Sequence, residues 1–272
     1  MMSLSSSKNT ACSVAFLLGA FAMLPTAAFA TNFGSGKCPA SYQALKDALA
    51  AATAAAGNGG LDLNMWGTVV DRDGIVCAVA FTGSNRGSQW PGSRVISAQK
   101  ANTANAFSLN GLSLSTANLY SAVQPGGSLF GLQESNPVDV HAAYGGNSAS
   151  YGTSQDPLVG KKVGGVNVFG GGLALYKNSL VVGAVGVSGD TSCADHNIGW
   201  RTRHNLALDE MAGVGGINAP GLFGVGDADR PDNIIFDITP NPDGGTGVSA
   251  GGFGHPGCLN TDDAQALPAV DN

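Results

Sequence analysis

The stretch Val163-Gly-Gly-Val-Asn-Val-Phe-Gly-Gly-Gly-Leu-Ala-Leu-Tyr176, followed by Leu180-Val-Val-Gly-Ala-Val-Gly-Val-Ser-Gly-Asp190, decides the fold. It reads as two strands joined by a short turn at Lys177-Asn178. The second strand is almost continuously apolar, the pattern of a central strand covered on both faces. Such cover suggests helices on one face and an oligomer partner on the other. The strand ends at a Gly-Val-Ser-Gly-Asp corner, and Thr191-Ser-Cys-Ala-Asp-His196 follows at once. That hexapeptide is the densest cluster of chemically capable side chains in the chain.

Outward from this hairpin, residues 61–70 and 75–81 read as a second one, closed by the tight turn Asp71-Arg-Asp-Gly74. Asp71 and Asp73 are read as turn residues rather than metal ligands. Ser41 caps a helix running to about residue 56, with Tyr42, Leu45, Leu49 and Ala52 on one face and Gly57-Asn-Gly-Gly60 as its stop. A second helix spans 94–109, and its small residues in Lys100-Ala-Asn-Thr-Ala-Asn-Ala106 suit close packing on a sheet. A short helix is expected over 115–123, and another from 193 or 194 to 208. Hairpins interleaved with helices make an α+β fold, an α/β sandwich with an antiparallel sheet flanked by helices. Residues 124–162 are rich in Gly, Ser, Asn and Pro and read as a long loop or lid. Residues 211–272 read as an irregular C-terminal wrap with one strand-like run at 233–238.

Residues 1–30 carry Lys8, an apolar run over 11–24 and the signal Ala28-Phe29-Ala30. That is the pattern of a cleaved secretory signal, too short for a membrane span. The expected mature chain is exported, periplasmic or extracellular, and bacterial. The whole chain carries a net charge of −6 and no basic patch, which argues against nucleic acid as a partner. Membrane insertion after cleavage is not expected.

Cys12 leaves with the signal, and Cys38, Cys77, Cys193 and Cys258 remain. An even number in an exported protein favours disulfides. Cys193-Ala-Asp-His196 and His255-Pro-Gly-Cys258 are mirror images, and three readings compete. One is a Cys193–Cys258 disulfide that leaves His196 near His255. A second is a Cys2His2 zinc site. In the third, the two pairs never meet. Cys38 and Cys77 then pair by default, although Cys77 also suits a buried free thiol.

The ordered set of Val69-Val-Asp-Arg-Asp-Gly74, Lys100-Ala101-x-Thr103-Ala104-x-x-Phe107, the turn at Gly171-Gly172, Val182-Gly-Ala-Val-Gly-Val-Ser-Gly189 and Asp195 resembles the GlcG/HbpS-like haem-binding family. The resemblance runs over roughly residues 41–208, within a domain set at 31–210 with an insertion at about 108–165. It implies a roughly five-stranded antiparallel sheet, a homo-oligomer, and haem or another small ligand as partner. The common Gly-Gly-x-Pro stands here as Gly171-Gly172-Leu173-Ala174, without the Pro.

The expected function is a non-enzymatic, exported haem- or small-ligand-binding protein. The alternatives are an enzyme working on haem or a small metabolite through His196 and Asp195, and a zinc-stabilised structural protein. The ligand site is placed at Gly171, Gly172, Asp195, His196 and His255. His196 is the iron ligand or acid/base of choice, since His is a common haem donor and titrates near neutrality. Asp195 at a helix start also suits a plain capping role. Lys100 and Arg94 are placed toward haem propionates, with Phe81 or Trp90 stacking on the macrocycle. His141 and His204 read as surface residues, and Asp227, Asp229 and Asp232 lack the spacing of a calcium loop.

Overall fold

The computed structural model describes residues 37–217, 227, 229–245, 247–261 and 266–272. The expected signal segment lies outside the described residues. Four strands, β1 (Trp66–Asp71), β2 (Val76–Phe81), β3 (Gly172–Lys177) and β4 (Leu180–Ser188), form one antiparallel sheet in the order β2-β1-β4-β3. The α+β class holds, with four strands in this sheet among the described residues where the resemblance implies five. The long helices are α1 (Tyr42–Ala54), α2 (Ser93–Phe107) and α4 (Ser192–Asn205), with a one-turn α3 (Val140–Tyr144) between α2 and β3.

Local chemistry explains the boundaries. The Ser41 hydroxyl accepts from the Ala44 N–H and starts α1. The Asn58 amide donates to the Ala52 and Ala55 carbonyls at 3.1 and 2.9 Å and ends it. One Asp71 carboxylate oxygen accepts from the Asp73 and Ile75 N–H groups, both at 2.9 Å, so Asp71 does build the β1–β2 turn. The β3–β4 loop is Asn178-Ser179, one residue later than expected, with φ of 50° and 60°. Those values suit the primed two-residue turn that matches strand twist.

Helices cover both faces of the sheet, which corrects the expectation of a partner subunit on one of them. On one face Val95, Ala98 and Ala101 of α2 pack on Trp66, Val70 and Ala184. On the other, Leu45 and Leu49 of α1 and Ile198 of α4 pack on Val69, Val185 and Val187. Each large apolar side chain so buried contributes about 1.5–3 kcal/mol. The approach of α2 is close enough that a Cβ at Gly186 would collide with the Ser97 carbonyl. The small residues of α2 therefore act as sheet-packing residues.

The segments outside this sandwich are pinned by buried ions. From α2, Arg94 donates to both carboxylate oxygens of Asp156 and, at 3.0 Å, to the Ala143 carbonyl. Asp156 also accepts from the Gly152 and Leu158 N–H groups. The lid-like insertion is thus clamped to α2, and it carries α3 rather than being structureless. The expected helix at 115–123 is two 3₁₀ turns. In the C-terminal wrap, Arg203 of α4 forms a two-pronged pair with Asp232 at 2.7 and 2.9 Å, and Ser113 donates to the same carboxylate at 2.6 Å. Asp232 is therefore an anchor for Arg203. The run at 233–238 forms only the edge of a two-residue ribbon, Ile238–Thr239 with Val248–Ser249. The Trp200 indole donates to the Pro268 carbonyl at 3.0 Å. No described helix is long and apolar enough to cross a membrane.

Candidate functional site

The corner after β4 brings the sequence-predicted residues together. The Thr191 hydroxyl caps α4 by accepting from the Ala194 N–H. The Asp190 carboxylate accepts from the Leu61 and Leu63 N–H groups and ties the loop after α1 to the corner. Asp195 faces inward. One of its oxygens accepts from the Asp190 N–H at 2.8 Å and the other from Lys100 Nζ at 2.7 Å. Lys100 also donates to the Val187 carbonyl at 3.1 Å and lies 4.5 Å from the Phe169 ring centroid. Gly171, at φ +112°, makes this possible, since a Cβ there would sit 3.2 Å from Lys100 Nζ and collide with the Val187 carbonyl.

Both ions are fully buried. Burial pushes the Asp195 carboxyl up to about 6, against the pull of Lys100. Burial likewise holds Lys100 below its ordinary value, against the pull of Asp195. Lys100 is thus a structural cation with all its reach spent inside, and it does not face a ligand's carboxylates. Arg94 is paired with Asp156, and it borders the open cleft described below.

His196 is also fully buried, and neither ring nitrogen has a hydrogen-bond partner among the described residues. Burial lowers its pKa to about 3, with the Asp232 carboxylate as the main opposing influence. Its ring lies 6.0 Å from that of Trp200, close to the Arg203–Asp232 pair. Haem does not fit here: a ring with no solvent exposure cannot meet a macrocycle unless the C-terminal wrap lifts away.

Cys193 and Cys258 form a disulfide, as do Cys38 and Cys77. The Cys193, Cys258 and His255 donor atoms lie within 4.8 Å of one another, but His196 is not in that group and the two sulfurs are bonded to each other. The Cys2His2 zinc arrangement is therefore not formed. His255 bonds Ser192 Oγ through Nε2 and the Pro256 carbonyl through Nδ1, both at 2.7 Å. Sequence reasoning passed over Ser192, whose only signal was a hydroxyl at the helix start.

An open cleft lies elsewhere, at the Trp66 end of β1. It measures about 280 Å³ and is lined by Trp66, Arg86, Pro91, Arg94, Tyr144 and Tyr151 among others. Tyr151 stacks on the Arg94 guanidinium at 3.6 Å, which presents an aromatic wall over a fixed cation. Tyr144 is 65% exposed at its rim. Trp66 is buried, and its indole N–H has no acceptor among the described residues. Phe81 packs edge-on against Trp66 at 5.2 Å, so it braces the cleft rather than stacking on a ligand, while Trp90 is half exposed. A larger cleft of about 550 Å³, between residues 121–128 and 247–253, is lined by Gly, Ser and Pro with Gln124, Val248 and Phe253, and no cation.

The architecture is thus an α+β sandwich domain with a sealed polar junction at one corner and an aromatic, cationic cleft near the end of β1. A family model described as "Haem degrading protein HbpS-like" matches residues 41–201, more than half of the chain, and the chain belongs to that family. Among solved structures, similarity is found to a PduOC–heme complex at 21% identity, covering 60% of this chain and 89% of that one, with a TM-score of 0.42. The Klebsiella pneumoniae protein ORFY is 26% identical, with 61% and 86% covered and a TM-score of 0.40. A double mutant of Streptomyces reticuli HbpS is 16% identical, with 72% and 97% covered and a TM-score of 0.37. Comparison with curated proteins gave no match.

Proposed function

We propose that the protein is an exported binding protein for a planar, anionic small molecule of the haem class, taken up in the cleft between Trp66, Arg86, Tyr144 and Tyr151 and not transformed there. The observation that carries this reading is the cleft wall itself, where Tyr151 stacks at 3.6 Å on the Arg94 guanidinium beside Trp66 and Arg86, with Tyr144 exposed at the rim. Arg86 supplies a counter-charge, Tyr151 a stacking face, and the exposed Tyr144 phenol an oxygen donor of the kind haem iron accepts. Haem, when bound, supplies a redox-active iron. At about 280 Å³ the cleft is at the small end of ligand sites and holds one edge of a macrocycle. A second copy of the chain would cover the remainder, against the exposed Trp90 and Tyr144. Two disulfides suit a periplasmic or extracellular setting.

Haemin titration of the oxidised protein tests this. A saturable Soret shift is expected, and Arg86→Ala or Tyr144→Phe should weaken it about tenfold, the loss of roughly 1.4 kcal/mol. A titration with no shift, or one that neither substitution alters, would sink the reading.

A further inference from the structure

The Ser192–His255 pair takes no part in that cleft, and its hydrogen bonds fix where every proton sits. The Pro256 carbonyl can only accept, so the His255 Nδ1 that lies 2.7 Å from it carries the hydrogen. Burial holds His255 below its ordinary pKa, so the ring is neutral near pH 7 and Nε2 is bare. Ser192 Oγ, 2.7 Å away, is then the donor to Nε2. The Gly170 N–H, at 2.7 Å, fills an acceptor position on the same oxygen and leaves its hydrogen directed at the imidazole. This is a hydroxyl, a base within hydrogen-bond reach, and a third group that fixes the base's tautomer.

The surroundings fit chemistry as well as packing. Ser192 is partly exposed and opens the fourteen-residue α4, where backbone N–H groups concentrate. The next N–H along, that of Cys193, ends on Cys258 Sγ at 3.1 Å, a weak acceptor with which an oxyanion would compete. The Cys193–Cys258 disulfide, one residue from Ser192 and three from His255, ties the two segments together, and the Tyr120 ring lies 4.8 Å from that of His255. His255 borders a cleft of about 240 Å³ whose other lining residues are Phe236, Ile238, Pro240, Asn241 and the Gly and Pro around them, none of them charged.

We propose that Ser192, with His255 as its base, is an acyl-transfer nucleophile for small, uncharged esters or thioesters that reach the partly exposed Ser192 beside this cleft, which His255 borders and Ser192 does not line. Ser192 Oγ forms a bond to the acyl carbon as its proton passes to His255 Nε2. The bond to the alcohol or thiol then breaks, and Nε2 returns the proton to that leaving group. Water, deprotonated by the same nitrogen, releases the carboxylic acid and restores the Ser192 hydroxyl. The hydrogen stays on Nδ1, donated to the Pro256 carbonyl, throughout.

The test uses the oxidised full chain with a fluorophosphonate probe and with p-nitrophenyl acetate. A single phosphonyl adduct on the Ser192 peptide is expected by mass spectrometry. Ester turnover should fall to background in Ser192→Ala and by roughly a hundredfold or more in His255→Gln. Ser192→Ala removes one oxygen atom, so it serves as the readout where His255→Gln disturbs the tail, with thermal melting to show that it folds. No adduct on Ser192, or equal turnover by wild type and Ser192→Ala, would overturn the proposal and leave the pair as a tie for the C-terminal segment. Neither result bears on haemin binding at the Trp66 cleft.

Discussion

Two regions of this domain have opposite characters. The corner around Lys100, Asp195 and His196 holds the richest chemistry and is sealed. The cleft around Trp66, Arg86 and Tyr144 holds an aromatic wall and a cation, and is open. The contrast teaches that a dense run of reactive side chains marks a place where the chain must neutralise what it buries. Ligand access depends instead on which aromatic and cationic groups the fold leaves at a rim.

If the corner is structural, damage to it should appear as lost stability. Lys100→Met strands Asp195 in the interior and should cost about 3–5 kcal/mol in urea unfolding, while Lys100→Met with Asp195→Leu should regain most of it. A neutral single substitution would mean that the corner is not sealed. Next in size, Cys258→Ser opens a link between residues 65 apart and should cost about 2–4 kcal/mol, with faster proteolysis of the C-terminal wrap. Unchanged melting and proteolysis would show that the wrap does not depend on the disulfide.

The pH dependence sharpens the comparison further. His196 has a folded pKa near 3 against an ordinary 6.5, so the unfolded chain binds a proton that the folded chain refuses. Its contribution to stability is full above pH 6.5 and is lost as pH falls toward 3, at up to about 1.4 kcal/mol per unit. Asp195, raised to about 6, runs the other way, favouring the folded state as pH falls through the same window. The difference between wild type and His196→Leu isolates the histidine: the variant should hold its stability better at pH 4 than at pH 7, relative to wild type. Parallel curves would mean that His196 is not buried neutral.

Local signals made much of the fold legible. Ser41 and Asp71 announce a cap and a turn through chemistry that reaches only two to four residues. The apolar run of β4 announces a central strand, but not that α1 and α4 rather than a partner cover its second face. That depends on where the helices pack. The mirrored Cys–His spacings made the Cys193–Cys258 link readable as one of three alternatives. Arg94–Asp156, Arg203–Asp232 and Ser192–His255 join residues 62, 29 and 63 apart in sequence with no spacing rule to reveal them. The Trp66 cleft was hidden for the same reason, since Trp66, Arg86 and Tyr144 come from a strand, a loop and a helix in an insertion read as a lid.

The central claim is that the ligand enters the open cleft and not the sealed corner. The direct measurement is parallel haemin titration of wild type, Arg86→Ala and His196→Ala, read at the Soret band. The account predicts that His196→Ala keeps the wild-type affinity and that Arg86→Ala loses about tenfold, roughly 1.4 kcal/mol. Loss of the Soret shift in His196→Ala with full binding by Arg86→Ala would contradict it.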